Sequence, residues 1–332
     1  MAMNVINRRQ RSAAYAANTK TVIELQRGYL YRELHLRLAG QLTVSGANNT
    51  AAKTLRGSEW AVISRLELIA NGNDTIFTMS GAALRRHNFF YYGVQPRNSV
   101  QVGDGSTTNP VFDSVCIIPF TTPRVAKPID TAIDSSSLSI FTLEVTWGSH
   151  LSINADATAF TVAPSLAIES IESWGHSPNS RFSLRRQTEI VINNTATNPR
   201  LQFNLPVNDM YFGFALCTTR GGAEVSNIIN NVQLKSGQNI MLDKTSFVLR
   251  ESSNLRLSQG RTYSGSAYDA LFNGTANNDD GWYWYQHNPD GLLTEAIDTL
   301  GFAEFIIEFD TTYTSGTEQI LLYPFQIVAA RG

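Results

Sequence analysis

The stretch Trp60-Ala-Val-Ile-Ser-Arg-Leu-Glu-Leu-Ile-Ala-Asn-Gly-Asn-Asp-Thr-Ile-Phe-Thr-Met-Ser-Gly-Ala-Ala-Leu84 reads as a strand, a tight turn, a second strand and a capped helix. Ile63, Leu66 and Leu68 are the apolar positions of a partly alternating strand. Asn71-Gly72 supplies the positive φ of a tight turn, Ile76 and Phe77 resume the apolar run, and Ser80 is placed to N-cap a helix beginning at Gly81. The pattern returns about 165 residues later. Ile229, Val232 and Leu234 precede Ser236-Gly237, then come Ile240 and Leu242, a cap at Asp243 or Thr245, and Phe247-Val-Leu-Arg250.

The offset recurs elsewhere along the chain. Leu34, Leu36 and Leu38 align with Leu201, Phe203 and Leu205, Leu84-Arg85 with Leu249-Arg250, and Phe141-Thr-Leu-Glu-Val with Phe305-Ile-Ile-Glu-Phe. An offset that drifts only from 167 to 164 predicts two copies of one domain topology. A length of 332 residues accommodates two such domains. The expected division is a basic N-terminal arm over residues 1–19, a first domain over 20–175, a linker over 176–184 and a second domain over 185–332.

Composition narrows the function classes. Charged residues make up 16% of the chain and the net charge is −2, so there is no global basic field of the kind that marks a nucleic-acid binder. Residues 1–18 lack the apolar run of a signal peptide, and no apolar stretch approaches the length of about 20 residues needed to span a membrane as a helix. Cys116 and Cys217 sit in apolar strand-like runs and read as buried free thiols. The arm carries Arg8, Arg9 and Arg11, which read either as a frayed terminus or as an arm that orders against a phosphate-bearing partner.

Many short strands with turn signals, few helices and no βαβ rhythm give an all-β class of antiparallel sandwiches. Leu34, Leu36 and Leu38 alternate with His35 and Arg37, the pattern of a sheet with one wet face. A jelly roll best accommodates about eight strands with long loops at one end. Each half places its longest insertion after its helix, and the second insertion, residues 259–300, contains Asp279-Asp280-Gly-Trp282-Tyr-Trp284-Tyr.

The run Tyr29-Leu-Tyr-Arg-Glu-Leu-His-Leu-Arg-Leu, the Trp60 to Leu84 stretch, Pro119-Phe120 and Phe141-Thr-Leu-Glu-Val-Thr-Trp-Gly together resemble the double jelly-roll major capsid proteins of tailless icosahedral viruses. The likeness is strongest to those of bacteriophages with an internal membrane. The resemblance implies two tandem eight-stranded antiparallel jelly rolls with short helices. It further implies homotrimers that close into pseudo-hexagonal capsomers and tile a shell, localisation in the virion after synthesis in host cytoplasm, and contacts with neighbouring capsomers and other virion proteins such as vertex proteins. By the same resemblance Arg8, Arg9 and Arg11 face inward, toward a membrane lipid surface where there is one, and Asp279, Asp280, Trp282 and Trp284 belong to outer loops. Aromatic anchors for lateral contacts are expected among Phe89, Phe90, Tyr91 and Tyr92, with two in the core and two half-exposed as the plainer arrangement.

The sequence offers no chemistry to set against this. It contains no Walker A loop, no His-Glu-x-x-His, no Cys-x-x-Cys and no Gly-x-Ser-x-Gly, and its five histidines are scattered. Glu144 and Glu308 are repeat equivalents and read as exposed strand positions rather than a glycosidase pair. No catalytic residue, cofactor, metal or sequence-specific nucleic acid is therefore expected. The competing class is a two-domain carbohydrate-binding protein, in which Trp282 and Trp284 would stack on sugars.

Overall fold

The computed structural model describes residues 4–50, 58–92, 102–103, 105, 107–121, 131–174, 183–258, 281–287 and 296–329. The chain divides into two compact units at Leu184–Arg185. Of the linker expected at residues 176–184, residues 176–182 lie outside the described residues, and Ser183 and Leu184 are strand rather than linker, because they begin a strand that pairs into the second unit's sheet.

The first unit runs through β1 (Asn4–Arg9), β2 (Ala13–Ala14), β3 (Lys20–Glu24), β4 (Leu30–Val44), β5 (Ile63–Ala70), β6 (Asp74–Met79), α1 (Gly81–Tyr92), β7 (Val111–Pro119), β8 (Ile133–Asp134), β9 (Phe141–Trp147) and β10 (Ala157–Trp174). One sheet has the order β1-β10-β4-β7, with β2 and β8 as short additions, and the other is β3-β9-β5-β6. All the described pairings are antiparallel.

The second unit comprises β11 (Ser183–Arg186), β12 (Ile190–Asn194), β13 (Asn198–Asn204), β14 (Met210–Arg220), β15 (Ala223–Glu224), β16 (Ile229–Ser236), β17 (Asn239–Thr245), α2 (Ser246–Ser258), β18 (Trp282–Gln286), β19 (Ile297–Asp298), β20 (Ile306–Thr311) and β21 (Glu318–Ala329). Its large sheet places β21 between β12 and β14, with β18 on the far side of β14, and its small sheet is β13-β20-β16-β17. Counting only the eight longer strands of each unit in chain order and leaving β11 aside, both units read 1-8-3-6 and 2-7-4-5. That shared interleaving of non-consecutive strands is the jelly roll, formed twice.

Alternation decides which faces meet. Leu34, Leu36 and Leu38 of β4 are wholly buried, while His35 and Arg37 face outward. On β9, Phe141, Leu143 and Val145 point inward, and Phe305, just before β20, repeats them together with Ile307 and Phe309 of that strand. Each such buried side chain contributes roughly 1.5–3 kcal/mol. Glu144 and Glu308 alternate with them onto the outer faces, but neither is exposed as expected. Lys20 Nζ lies 2.6 Å from Glu144, and Lys235 Nζ lies 2.5 Å from Glu308. The reason is their place on the second strand of four, where neighbours on both sides cover them.

The Trp60 to Leu84 stretch forms as read. Asn71 and Gly72 both take positive φ, 54° and 82°, and the Asn73 N–H closes the turn on the Ala70 carbonyl. Ser80 Oγ accepts from the Ala83 N–H at 3.2 Å, and Thr245, the second of the two candidate caps, accepts from the Val248 N–H at 3.4 Å. Gly81 is required, because a Cβ there would collide with the Trp60 carbonyl oxygen.

Three expectations change. The alignment of Leu34, Leu36 and Leu38 with Leu201, Phe203 and Leu205 does not join equivalent strands: β4 corresponds to β14, and Leu201 and Phe203 lie on β13, the counterpart of β3. The physical reason is length, since the chain takes longer to travel from Leu30 to Ile63 than from Met210 to Ile229, so the repeat offset is larger before that point. Second, residues 4–14, read as an arm, are in the sheet. β1 pairs with β10 from Asn4↔Trp174 to Arg9↔Glu169, β2 follows, and Ala13 is buried. Without them the long strand β10 would be an open edge. Third, the second insertion contains β18 and β19, both paired to β14.

Each unit pins its passage from the small sheet to the large one in the same way. Tyr31, at the start of β4, donates its hydroxyl to the Gln26 carbonyl at 2.5 Å, and its ring meets Phe141 edge-on at 5.1 Å. Tyr211, at the start of β14, donates to the Pro206 carbonyl at 2.6 Å, with its ring 4.9 Å from Phe305. Burial holds both phenols well above their usual pKa. We expect Tyr31→Phe to cost about 1 kcal/mol, because it deletes the bond to the Gln26 carbonyl and keeps the ring, and Tyr211→Phe to cost about 2 kcal/mol, because it also removes the acceptor of the bond donated by the buried Gln326 Nε2 at 2.7 Å, whereas Tyr→Ala should cost about 3–5 kcal/mol. Urea unfolding checks this, as a lowered midpoint with unchanged slope in the transition of the affected unit.

A buried carboxylate ties three strands of the second unit. Glu318 Oε1 accepts from Arg220 Nε at 2.7 Å and from the Thr314 N–H, while Oε2 accepts from Asn194 Nδ2 at 2.9 Å. Burial opposes ionisation, but these donors outweigh it and hold the carboxyl below the usual range. A depressed folded pKa gives a contribution that is complete above the unfolded value of about 4.3 and lost as pH falls through the folded one. Glu318→Gln should therefore lower stability at pH 7 by about 2–3 kcal/mol, and the gap to wild type should narrow in denaturant titrations as the pH falls below the unfolded value of about 4.3.

Candidate assembly surfaces

The three arginines of the N-terminal residues do not act alike, because a strand sets alternate residues on opposite faces. Arg8 turns inward. Its Nε lies 3.2 Å from Oε2 of Glu172, a wholly buried carboxylate on β10, its guanidinium sits 4.3 Å from the centre of the Tyr29 ring, and Nη1 donates to Gln26 Oε1. Glu172 also accepts from Ser170 Oγ at 2.6 Å and from Gln10 Nε2 at 3.0 Å. The Tyr29 hydroxyl, and after it the Glu172 charge, raise the guanidinium pKa against the opposing effect of burial. Arg9 and Arg11 are exposed, and Arg9 stands opposite Glu169 on the outer face of the sheet. Sequence reasoning missed Arg8's structural role because Glu172 lies more than 160 residues away, and only strand pairing brings the two together.

The outer-loop candidates fare differently. Asp279 and Asp280 lie outside the described residues. Trp282 and Trp284 are 2% and 8% exposed, so neither offers a ring to a sugar, and the expectation of an outer stacking surface is corrected. The strand β18 pairs Cys217↔Trp282 and Ala215↔Trp284. Trp282 stacks on Tyr323 at 5.8 Å and Trp284 packs on Phe325 at 4.5 Å, while Tyr283 and Tyr285 turn to the other face and enter or adjoin the core.

Of the four consecutive aromatics, Phe89 and Phe90 are buried, Tyr91 is half-buried with its hydroxyl donated to the Thr121 carbonyl, and Tyr92 is exposed. The helix is anchored beside them by Asn88, whose Nδ2 donates to the Ile117 carbonyl at 2.7 Å and whose Oδ1 accepts from the Ile117 N–H at 2.6 Å. One amide side chain thereby occupies a segment of the edge of β7 as another strand would. Cys116 and Cys217 are buried and form no disulfide, and burial pushes the Cys116 thiol pKa up despite nearby Arg85. Among the described residues no group of three or more His, Cys, Asp or Glu side chains is arranged to hold a metal, and no helix is long and apolar enough to cross a membrane.

Arg8→Met keeps the contact with Tyr29 but leaves Glu172 uncompensated. We expect a loss of about 2–3 kcal/mol and faster amide exchange over residues 4–14, with partial recovery in Arg8→Met/Glu172→Gln. Arg9→Met and Arg11→Met should stay within about 0.5 kcal/mol of wild type.

No family model and no curated protein sequence matches the chain. Solved structures do match. The crystal structure of STIV MCP, from Sulfolobus turreted icosahedral virus, aligns with 98% of this chain and 97% of its own at TM-score 0.73 and 12% identity. The major capsid protein P2 of bacteriophage PM2 aligns over 99% and 98% at TM-score 0.64 and 12% identity. The Faustovirus major capsid protein aligns over 99% and 91% at TM-score 0.58 and 10% identity. Sequence identity this low speaks to architecture, and the architecture of this chain, along nearly its whole length, is the double jelly roll.

Proposed function

We propose that the chain is the major capsid protein of a tailless icosahedral virus, a wall-building subunit that acts by self-association and catalyses no reaction. The observation that carries this reading is the end-to-end likeness of both units, in tandem, to coat proteins of three different viruses, with neither unit left over for another task. The physics of the two units suits the role. Each is a sandwich with an extensively buried interior, tied at a sheet crossing and by an ion-paired carboxylate on its last long strand. Rigid walls of this kind are what a shell requires.

The finer assignment within this proposal is a bacteriophage with an internal membrane. It is supported by the sequence resemblance and by the bacteriophage PM2 protein among the similar folds. The partners are further copies of the chain, first as a homotrimer and then as neighbouring capsomers, together with other virion proteins such as those at the vertices. Arg9 and Arg11, both exposed, are the groups proposed to face inward toward phosphate-bearing surfaces, while Arg8 serves the sheet.

Light scattering of the purified protein tests the reading. A trimer of about 110 kDa, three chains of 36.7 kDa, with hexagonal outlines in electron micrographs is the expected result. A monomer at every concentration tested would remove the proposal's basis.

A further inference from the structure

An asparagine followed by glycine is prone to lose its side-chain amide without any enzyme, because glycine has no side chain to shield its backbone nitrogen. The pair occurs twice in this chain, at Asn71-Gly72 and at Asn273-Gly274, and the second lies outside the described residues. At the first, the Gly72 nitrogen would attack Cγ of Asn71, ammonia would leave with the proton from that nitrogen, and a succinimide ring would close. Water then opens the ring at either carbonyl. The product is aspartate or, with the backbone rerouted through the side chain, isoaspartate.

Asn71 is exposed, so solvent reaches it, but its conformation opposes ring closure. At φ 54° it occupies the left-handed well, where ψ is about +45°. That rotation turns the Gly72 nitrogen to the side of the Cα–C bond opposite Cβ, where it cannot meet Cγ. Closure waits until Asn71 leaves the well, which breaks the bond from the Asn73 N–H to the Ala70 carbonyl.

The side chain is tied as well. Asn71 Oδ1 accepts from the Ser139 N–H at 2.8 Å and from Ser139 Oγ at 3.1 Å, and the Asn71 N–H donates to the Ile140 carbonyl at 2.9 Å. These bonds hold the β5–β6 turn against the residues that lead into β9. The equivalent turn of the second unit is built on Ser236-Gly237, which has no side-chain amide to lose, so the hairpin as such does not require the labile pair. What asparagine adds in the first unit is the amide oxygen that Ser139 grips.

We infer that Asn71 is a self-modification site held shut by Ser139: the amide persists while the turn and the approach to β9 are joined, and is lost as they part. Deamidation then proceeds through local opening, at the rate of the unfolded chain multiplied by the fraction of turns that are open. The isoaspartate product adds one carbon to the backbone of the turn and so leaves the β5–β6 hairpin altered for good. This holds whether or not the chain builds a shell.

The test follows the tryptic peptide 66–85, bounded by Arg65 and Arg85, in the full chain stored for weeks in mildly alkaline buffer. Mass spectrometry locates amide loss at Asn71 through fragment ions, and an isoaspartyl methyltransferase assay counts the rerouted product. Native wild type should convert at least about 10-fold more slowly than the same protein in guanidinium chloride. Ser139→Ala changes an exposed side chain, and circular dichroism with the melting temperature verifies its fold. It should convert about 3- to 10-fold faster than native wild type, with amide exchange at Asn73 rising in parallel. Equal rates for native and denatured wild type overturn the inference. So does a folded Ser139→Ala protein that converts no faster than wild type.

Discussion

A sandwich of interleaved strands requires the chain to leave one sheet and enter the other, and at each crossing the backbone loses the ladder that satisfies it. In both units the crossing into the central strand of the large sheet is held by a tyrosine. Tyr31 and Tyr211 each reach back five residues to a carbonyl, and each ring presses on an aromatic of the opposite sheet, Phe141 or Phe305. The carbonyl is thereby satisfied and the two sheets are tied at one point. The central strands β4 and β14 start from that point, and each carries neighbours on both sides. Register along either strand consequently depends on where the tyrosine stands.

Position governs charge in the same way. Each unit places a wholly buried glutamate on its last long strand, Glu172 on β10 and Glu318 on β21, and each is met by an arginine from another strand of the sheet. The two are not repeat equivalents, since one lies near the end of its strand and the other opens it. A buried carboxylate gains little net stability from its partner but loses much when that partner is removed. What such pairs impose is registry: Arg8 reaches Glu172 only when β1 lies in its proper alignment on β10, and Arg220 reaches Glu318 only when β14 and β21 do.

Local signals explain what was legible before the fold was known. The Asn71-Gly72 turn, the caps Ser80 and Thr245, and the alternation of Leu34, Leu36 and Leu38 are each decided within a few residues, and each forms as read. What failed was non-local. A connection that differs in length between the copies displaced the alignment of β4. The polar, arginine-bearing residues 4–14 look like an arm because their partners stand on β10, far along the chain. Trp282-Tyr-Trp-Tyr reads equally as an exposed stacking surface or a two-faced strand, and only the pairing with β14 and the rings of Tyr323 and Phe325 decide for the strand.

Repetition also shows where the copies have diverged under a common fold. Buried positions vary within chemical class, as Leu143 against Ile307 and Val145 against Phe309 demonstrate, because a sandwich interior accepts apolar exchange at roughly constant total volume. The helix start behaves otherwise. Ala82 and Ala83 are buried next to Gly81, where a short covering segment leaves no room for a Cβ, while Phe247 and Val248 occupy a site with no such segment among the described residues. Relief of the steric limit accounts for the gain in size, but it does not account for the gain in apolar area, since an uncovered helix face in water ordinarily carries polar residues.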